Sequence, residues 1–265
     1  TGEFTRHDLP DGAGPHNLIV GDDGVVWYAG NRDRHIGRLD PATGEIRKFE
    51  MPDPGARDPH TLLWGRDGRI WFTVQGGNRI GLFEPATGET RIVESPLASS
   101  RPYGITQAPN GEIWVAAFAT NRLLRVDEKT MAVRAVELPR EDARARRLQA
   151  TSDGRIWYVD YAGGQLGVYD PGADAFEEWA LPGGAEARPY GMAVDSRDRL
   201  WVVETGPRGQ PNRFVGFDPT TEEFIASTEI PSGAGTVRHM YFHEPTGSVW
   251  FGTDANTIGV ARLPR

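Results

Sequence analysis

Six positions in equivalent sequence contexts carry side chains that could bind a metal ion or transfer a proton. Each position lies eleven residues before one of six regularly spaced tryptophans. Three of the chain's six histidines fall on these positions, which a random distribution would seldom produce. Imidazoles bind transition metals and act as general bases, so the set predicts a metal site or an acid–base site. The six residues are His16, His60, Tyr103, Arg146, Tyr190 and His239.

Carboxylates accompany these positions. Asp58 precedes His60 by two residues, and Asp160, Glu204 and Asp254 follow their tryptophans by three or four. Histidines and carboxylates that converge on one centre can hold a divalent cation and act as bases beside it. Three histidines favour Zn²⁺ or another transition ion, whereas carboxylates with fewer histidines favour Mg²⁺ or Ca²⁺. The predicted metal ligands are His16, Asp58, His60, Glu204, His239 and Asp254, and the predicted catalytic side chains are His16, His60, Tyr103 and Tyr190.

Arginine also recurs in this part of the repeat. Arg101, Arg144 and Arg188 each stand two residues before one of the six positions, and Arg146 occupies one of them. A planar guanidinium can hold a carbonyl or an anionic group through two parallel hydrogen bonds. Arg101, Arg146 and Arg188 are therefore candidate substrate contacts, with salt bridges to neighbouring loops as the equally available alternative.

Each of these residues, taken alone, could have a purely structural role. A lone histidine or tyrosine at the mouth of a channel is commonly solvated or hydrogen-bonded to a loop. Titratable side chains that cluster in a concave site usually mark a functional site, which favours function for the three-histidine set. The other histidines, His7, His35 and His243, lie elsewhere in the repeat and are assigned to structure or surface.

The tryptophans that define the six positions form a sequence repeat. Successive steps are 44, 43, 43, 44 and 49 residues. A period in the low forties is typical of β-propeller blades. An aromatic residue at the same place in every blade packs between adjacent sheets, so the series is assigned to the core. Its members are Trp27, Trp71, Trp114, Trp157, Trp201 and Trp250.

Each repeat reads as four short strands separated by turns rich in Gly, Pro and Asp. Blades start near residues 14, 58, 101, 144, 188 and 237, and the six positions begin the first strands, beside the channel. The last repeat supplies three strands, and residues 3–10 match the fourth strand at 45–52, so we expect the N-terminal strand to close the last blade. The sequence thus predicts an all-β, single-domain protein over residues 1–265, a six-bladed β-propeller with four antiparallel strands per blade.

Composition limits the partners. The net charge is −8 and the pI is near 5.3, which argues against nucleic acid, since phosphate binding needs clustered Lys and Arg. No apolar run reaches the length of a membrane-spanning helix, and there is no Cys. We expect a monomer that acts on a small molecule. The start at Thr1, beside a predicted strand, favours a secreted or periplasmic location and leaves the cytoplasm open.

Several repeat units resemble the virginiamycin B lyase family, also called streptogramin lyases, over nearly the whole chain. The similar segments are 101–106 (RPYGIT), 109–114 (PNGEIW) and 78–81 (NRIG). Family members use a Pro-His in one blade and a Glu-Pro-His in the next to bind Mg²⁺ and to supply a base. Pro15 and His16, followed by Asp58, Pro59 and His60, are similar to that pair, with Asp in place of Glu.

The resemblance implies a reaction. Such enzymes open a cyclic depsipeptide by elimination, in which a base removes a proton next to a carbonyl that the metal polarises. It implies His60 as the base and Asp58 with His16 at the metal or the ester, with Mg²⁺ as the metal. The known lyase has seven blades where the repeat here counts six. His239 adds a third histidine, which makes the set similar to that of zinc-dependent six-bladed amidating lyases.

Three functions remain open from the sequence. The first is a metal-assisted carbon–oxygen lyase that opens a cyclic ester. The second is a lactone or ester hydrolase of the six-bladed gluconolactonase-like type, in which Glu204 and Asp254 would hold Ca²⁺. The third is a propeller that binds a ligand or protein without catalysis, because the fold alone implies no chemistry.

Overall fold

The structure is a computed structural model, and it describes residues 3–207, 210–231, 233 and 235–264. These residues form 23 strands in six antiparallel sheets, together with two single-turn 3₁₀ helices at Gly184–Glu186 and Glu244–Thr246. None of the helices in this part of the chain is long and apolar enough to cross a bilayer. Each sheet is one blade, and the chain is an all-β, six-bladed β-propeller, as the sequence repeat predicts.

The chain divides into two compact units. The first contains Thr1–Ile105 with Thr130–Val133, and the second contains Thr106–Lys129 with Arg134–Arg265. The sheets of blades one and two, which belong to the first unit, have the orders β1-β2-β3-β4 and β5-β6-β7-β8. Their strands are Pro15–Val20 (β1), Val26–Gly30 (β2), His35–Leu39 (β3), Ile46–Glu50 (β4), Pro59–Trp64 (β5), Ile70–Val74 (β6), Arg79–Glu84 (β7) and Glu89–Glu94 (β8).

The other four blades follow the same order of strands. Blade three consists of Pro102–Gln107 (β9), Ile113–Ala117 (β10), Arg122–Val126 (β11) and Val133–Glu137 (β12). Blades four and five consist of Ala145–Ala150 (β13), Ile156–Asp160 (β14), Gln165–Asp170 (β15), Ala175–Ala180 (β16), Pro189–Val194 (β17), Leu200–Glu204 (β18), Arg213–Asp218 (β19) and Glu223–Glu229 (β20). Blade six consists of Met240–His243 (β21), Ser248–Gly252 (β22) and Ile258–Arg262 (β23).

Blade six differs from the prediction. Its sheet has three strands, and residues 3–10 form no strand with the described residues. The match to residues 45–52 gives this segment the alternation of a fourth strand, but a strand also needs a paired edge for its backbone hydrogen bonds. The lengthened loop in blade five lies between β18 and β19 as predicted, with residues 208 and 209 outside the described residues.

The tryptophan series forms the core between consecutive blades, with one exception. Five of the six are at most 5% exposed, whereas Trp250 is 43% exposed. Trp157, for example, packs from blade four against Met192 and Leu200 of blade five. The assignment of the series to the core is therefore confirmed for five members and wrong for Trp250.

Glycine in the third strand makes room for an aromatic ring of the second strand. In blade two, a Cβ placed on Gly81 would lie 2.0 Å from Cζ of Phe72, which is fully buried. Gly81 pairs directly with Phe72, so the ring lies over the glycine backbone. This contact explains the repeated Ile-Gly and Val-Gly pairs as a packing requirement.

Candidate functional site

The six predicted positions share one place in their blades, next to an irregularity of the first strand. Five of them are the second residue of that strand, and His239 directly precedes β21. In blade two, His60 and Thr61 together face Thr73, which makes a β-bulge. Blades one, four and five have the same shift in register. A bulge re-aims the side chain it carries, so the local irregularity separates these residues from the ordinary alternation of the strand.

In the first unit, the ring of His60 contacts the rings of His16 and Tyr103, and the ring planes are tilted by 40° and 46°. The ring centroid of His60 lies 4.0 Å from that of His16 and 4.1 Å from that of Tyr103. His16 is exposed, while His60 and Tyr103 are buried. Nδ1 of His16 is 3.3 Å from the carbonyl oxygen of His60, which can only accept, so Nδ1 carries the hydrogen in that bond. Nδ1 of His60 lies 2.9 Å from Oγ1 of Thr61.

Buried polar side chains hold these three first strands in place. Oδ1 of Asn17 accepts a 2.8 Å hydrogen bond from the amide of Leu62, which joins blade one to blade two. Oγ1 of Thr73 donates to the carbonyl oxygen of Tyr103 at 2.8 Å and accepts from the amide of Thr61 at 3.2 Å. Because buried polar groups are costly to leave unsatisfied, these bonds fix the backbone that presents the rings.

Asp58 lies beside the histidine pair with a polar partner of its own. The side-chain amide of Asn31 donates a hydrogen bond to Oδ1 of Asp58. Burial raises the pKa of Asp58, and the Asn31 hydrogen bond and the positive charges of His16 and Arg101 act against this rise. The carboxylate is therefore partly desolvated and already engaged.

Asp58 and Arg101, which lie two residues before His60 and Tyr103, have a left-handed backbone. The φ angles are 64° at Asp58 and 52° at Arg101, and Arg188 in the second unit has a φ of 41°. A side chain in this region costs about 1 kcal/mol relative to glycine, and Gly14 meets the same requirement in blade one without that cost. Arg101 and Arg188 are exposed there, as a substrate contact requires.

A metal ion at His16 and His60 would need at least one more ligand. The residues paired with the prolines before these histidines are Gly30 and Val74, and neither offers a metal-binding side chain. Across residues 3–207, 210–231, 233 and 235–264, no group of three or more His, Asp or Glu side chains is placed to hold a metal. The donor set does not fit the Mg²⁺ ion that the family resemblance implies, nor Zn²⁺ or Ca²⁺.

In the second unit, the guanidinium of Arg146 lies inside a box of aromatic rings. Its Cζ is 3.7 Å from the ring centroid of Tyr190, 4.4 Å from that of Tyr161 and 4.8 Å from that of Phe118. Tyr190 is fully buried beneath it. Stacking on several rings fixes the plane of the guanidinium, so its N–H groups point in a defined direction.

Two further arginines surround Tyr190 and affect His239. The Cζ atoms of Arg147 and Arg238 lie 5.7 and 5.9 Å from the Tyr190 ring, and Nε of Arg147 donates to the Arg238 carbonyl at 3.1 Å. Although solvent reaches part of the His239 side chain, the protein around it, and then the charge of Arg147, lowers the pKa of His239 to about 3. Its imidazole is therefore neutral at physiological pH. Asp254 is 2.8 Å from Arg238 in an ion pair.

The remaining predicted carboxylates hold loops. Oδ1 of Asp160 accepts from the amides of Arg144 and Ala162, and the other carboxylate oxygen pairs with Arg140. Oε1 of Glu204 accepts from the amide of Gly183 at 2.9 Å, and burial raises the pKa of Glu204. The predicted metal ligands Glu204 and Asp254 are thus bound to the amide of Gly183 and to Arg238.

Sequence reasoning missed the residues that surround the predicted ones. Thr61 had no pattern that marked it. Asn31, Phe118 and Tyr161 did have one, since each stands four residues after its blade's tryptophan, at one of the two spacings from which the acids were chosen. The common place of these residues at the end of the second strand was the signal available.

Comparison with known proteins agrees with the architecture and adds a family. No curated protein matches the chain at a significant level. The sequence profile of the virginiamycin B lyase family matches residues 3–263. The chain belongs to the virginiamycin B lyase family. The resemblance drawn from the repeat motifs is therefore confirmed.

Solved structures of virginiamycin B lyases have the same fold. The enzyme from Staphylococcus aureus is 25% identical with a TM-score of 0.80, and the match covers 97% of this chain and 86% of that one. A streptogramin B lyase is 26% identical with a TM-score of 0.81 and coverages of 98% and 86%. A catalytically inactive histidine-to-alanine variant of the Staphylococcus aureus enzyme with quinupristin is 26% identical, with a TM-score of 0.80 and coverages of 95% and 85%.

Proposed function

We propose that this member of the virginiamycin B lyase family is a carbon–oxygen lyase that opens a cyclic ester by elimination, with His60 as the proton acceptor. The observation that supports this most is the ring contact between His16 and His60 on matched bulges of consecutive blades. In the Staphylococcus aureus relative, one histidine-to-alanine change accompanies loss of catalysis. A histidine is thus needed in a related enzyme, and this chain offers two in contact.

The surroundings of His60 suit a base. Its ring contacts the rings of His16 and Tyr103, and Nδ1 lies against the Thr61 hydroxyl. When Nδ1 donates to that hydroxyl, the lone pair is on Nε2, the atom that would take the proton. An imidazole that is already held in one orientation loses less entropy when it reaches a reactive geometry with the bound ester.

The reaction balances without a second reactant. Nε2 of His60 takes the proton from the carbon next to a carbonyl group, and the bond between the neighbouring carbon and the ester oxygen breaks. A carbon–carbon double bond forms, the carboxylate leaves, and the proton on His60 returns to solvent. Arg101, exposed and close enough to Asp58 to affect its pKa, supplies positive charge for the carbonyl oxygen on which charge develops.

The test is product analysis with quinupristin, the compound in the solved complex of the relative. Elimination opens the ring without changing the mass and creates an ultraviolet-absorbing alkene. Hydrolysis adds one water and no alkene, so that product would replace the lyase with the hydrolase alternative. A linear product of unchanged mass supports the proposal, and a ring that stays intact at high enzyme concentration contradicts it.

Variants assign the base. His60→Ala should lower kcat about 10²-fold to 10⁴-fold, the usual contribution of a general base. The matched control is His243→Ala, which removes a half-buried histidine of blade six whose Nδ1 contacts the Thr246 hydroxyl. His243→Ala should keep full activity. Equal activity of the His60 and His243 variants would show that His60 is not the base.

A further inference from the structure

Two neighbouring arginines of blade four reach the same buried ring of blade five. Arg146 and Arg147 follow each other in β13, at the point where a bulge shifts the register of the strand. Consecutive side chains of a regular strand point to opposite faces, and a bulge removes that alternation. The Cζ atoms of Arg146 and Arg147 lie 3.7 and 5.7 Å from the ring centroid of Tyr190, which is fully buried. The bulge thus brings two positive charges to one ring.

A third guanidinium, that of Arg238, lies at the same ring. Its Cζ is 5.9 Å from the Tyr190 centroid, and Nε of Arg147 donates to the Arg238 carbonyl oxygen at 3.1 Å. A hydrogen bond to Asp254, and after it one to Tyr190, raises the pKa of Arg238 while burial acts the other way, so its guanidinium stays charged. The Arg238 side chain is 50% exposed. Arg146, Arg147 and Arg238 are called here the arginine cluster.

The arginine cluster concentrates positive charge in an acidic chain. The net charge of the whole chain is −8, yet three guanidinium groups meet at Tyr190, and Asp254 forms an ion pair with one of them. Like charges this close repel each other, and an anion placed among them offsets part of the repulsion. Arg238 is exposed and Arg146 is half-buried, so an anion from solution has access to both. The charge distribution therefore favours an anionic ligand.

Two half-buried aromatic rings complete the surroundings of Arg146. Its Cζ lies 4.4 Å from the ring centroid of Tyr161 and 4.8 Å from that of Phe118, and Tyr161 meets both Phe118 and Tyr190 edge to face. A ring face attracts a guanidinium without accepting the paired hydrogen bonds that a carboxylate accepts. The exposed parts of Phe118 and Tyr161 also offer apolar contact to the carbon atoms of a ligand. A ligand with a carboxylate and an apolar body would use both properties.

We propose that the arginine cluster, with Phe118 and Tyr161, binds a small organic carboxylate. The two oxygens of a carboxylate match the parallel N–H groups of one guanidinium, here that of Arg146, which the rings hold in place. The apolar part of the ligand packs on the half-buried rings, a contact that an inorganic anion such as phosphate does not make. All of these residues lie within the second unit, and the site does not depend on the reaction proposed for His60.

Binding of model compounds tests the proposal. Isothermal titration of the full chain at neutral pH uses benzoate, benzamide and inorganic phosphate as probes. Benzoate has a carboxylate and an apolar ring, benzamide has a similar shape without the charge, and phosphate has the charge without the ring. Benzoate should bind with a Kd of about 5 mM or lower, which is within reach of a ligand of its size. Benzamide and phosphate should each bind at least about tenfold more weakly than benzoate.

Variants assign the binding to the arginine cluster. Arg146→Gln removes the guanidinium and should weaken benzoate binding at least about tenfold, while Arg146→Lys, which keeps the charge without the paired N–H groups, should recover part of the loss. Arg238→Gln changes an exposed side chain and should weaken binding about threefold. The matched control is Arg134→Gln, at an exposed arginine of the edge strand β12, which should bind benzoate like the wild type. Circular dichroism checks that each variant folds.

The same titrations can overturn the proposal. A wild-type chain whose Kd for benzoate is above about 5 mM lacks the site. Benzamide or phosphate that binds as tightly as benzoate shows that the cluster does not recognise an organic carboxylate. A folded Arg146→Gln variant that binds benzoate like the wild type places the binding elsewhere. If that variant does not fold, unchanged binding by Arg238→Gln overturns the proposal instead.

Discussion

His35 in β3 should make the stability of the protein depend on pH. The side chain is fully buried, and within the described part of the chain neither ring nitrogen makes a hydrogen bond of normal geometry. Burial, and then the positive charge of Lys48, lowers the pKa of His35, while the Asp33 backbone and the carboxylates of Asp33 and Glu50 act in the opposite direction. Folded His35 therefore takes up a proton at a lower pH than His35 of the unfolded chain, where a histidine has a pKa of about 6.5.

The sign follows from proton binding. Below pH 6.5 the unfolded chain takes up a proton that folded His35 does not, so the free energy of unfolding falls as the pH falls through that value. The loss due to His35 is at most about 1.4 kcal/mol at pH 5.5 and about 2 kcal/mol at pH 5.0, the limits for a folded imidazole that stays neutral. At pH 7.5 the same contribution is below about 0.1 kcal/mol.

Urea unfolding of the wild type and His35→Phe between pH 7.5 and 5.0 measures this difference. The variant has nothing to protonate at position 35, so its stability relative to the wild type should rise as the pH falls, by at most about 1.4 kcal/mol between pH 7.5 and 5.5. Other groups with lowered pKa values, such as His239, are present in both proteins, so their contributions to the free energy of unfolding cancel in the comparison. His243→Phe, at a half-buried histidine whose Nδ1 contacts the Thr246 hydroxyl, should follow the wild type. Parallel pH profiles of wild type and His35→Phe would refute the reasoning.

Two further outcomes follow from the packing and from the donor set. Gly81→Ala should lower the free energy of unfolding by about 2 kcal/mol, measured with urea, because the new Cβ would lie 2.0 Å from the buried Phe72 ring. Gly252→Ala, where a Cβ meets open space, should be neutral, and equal losses would contradict the packing argument. Isothermal titration with MgCl₂ should give no binding tighter than about 1 mM, since the histidine pair lacks a third ligand. Stoichiometric binding in the micromolar range that His16→Ala abolishes would show that the ligand set is complete.

The repeat makes the fold predictable. The spacing of the tryptophans sets the blade period, and the alternation around each one gives the strands, so five blades agree with the prediction strand for strand. The prediction fails in blade six, because the burial of a side chain depends on what packs against it and not only on the local sequence. Trp250 has the same local pattern as Trp157, and only the structure shows that the first is exposed and the second buried.

The sequence predicted where the candidate side chains lie in the blades, but not which partners they bind. Counting from the tryptophans located the bulged residues, and the ring of His60 does contact those of His16 and Tyr103. The sequence could not predict which partner each carboxylate binds, because that depends on which backbone amides a loop brings near. Asp160 and Glu204 look like ligands in the sequence, yet the structure shows them as acceptors for loop amides.

The distribution of acids between blades decides which chemistry this chain can support at its histidine pair. Blades four and five end their second strands in Asp160 and Glu204, whereas blades one and two have Gly30 and Val74 there. The carboxylate beside His60 is therefore Asp58, which Asn31 already binds and whose pKa burial raises. A ligand set for a hard cation beside His60 would have to include this carboxylate, which Asn31 already binds. The proposed acid–base chemistry on the imidazoles, with Arg101 as the source of positive charge, needs no such ligand.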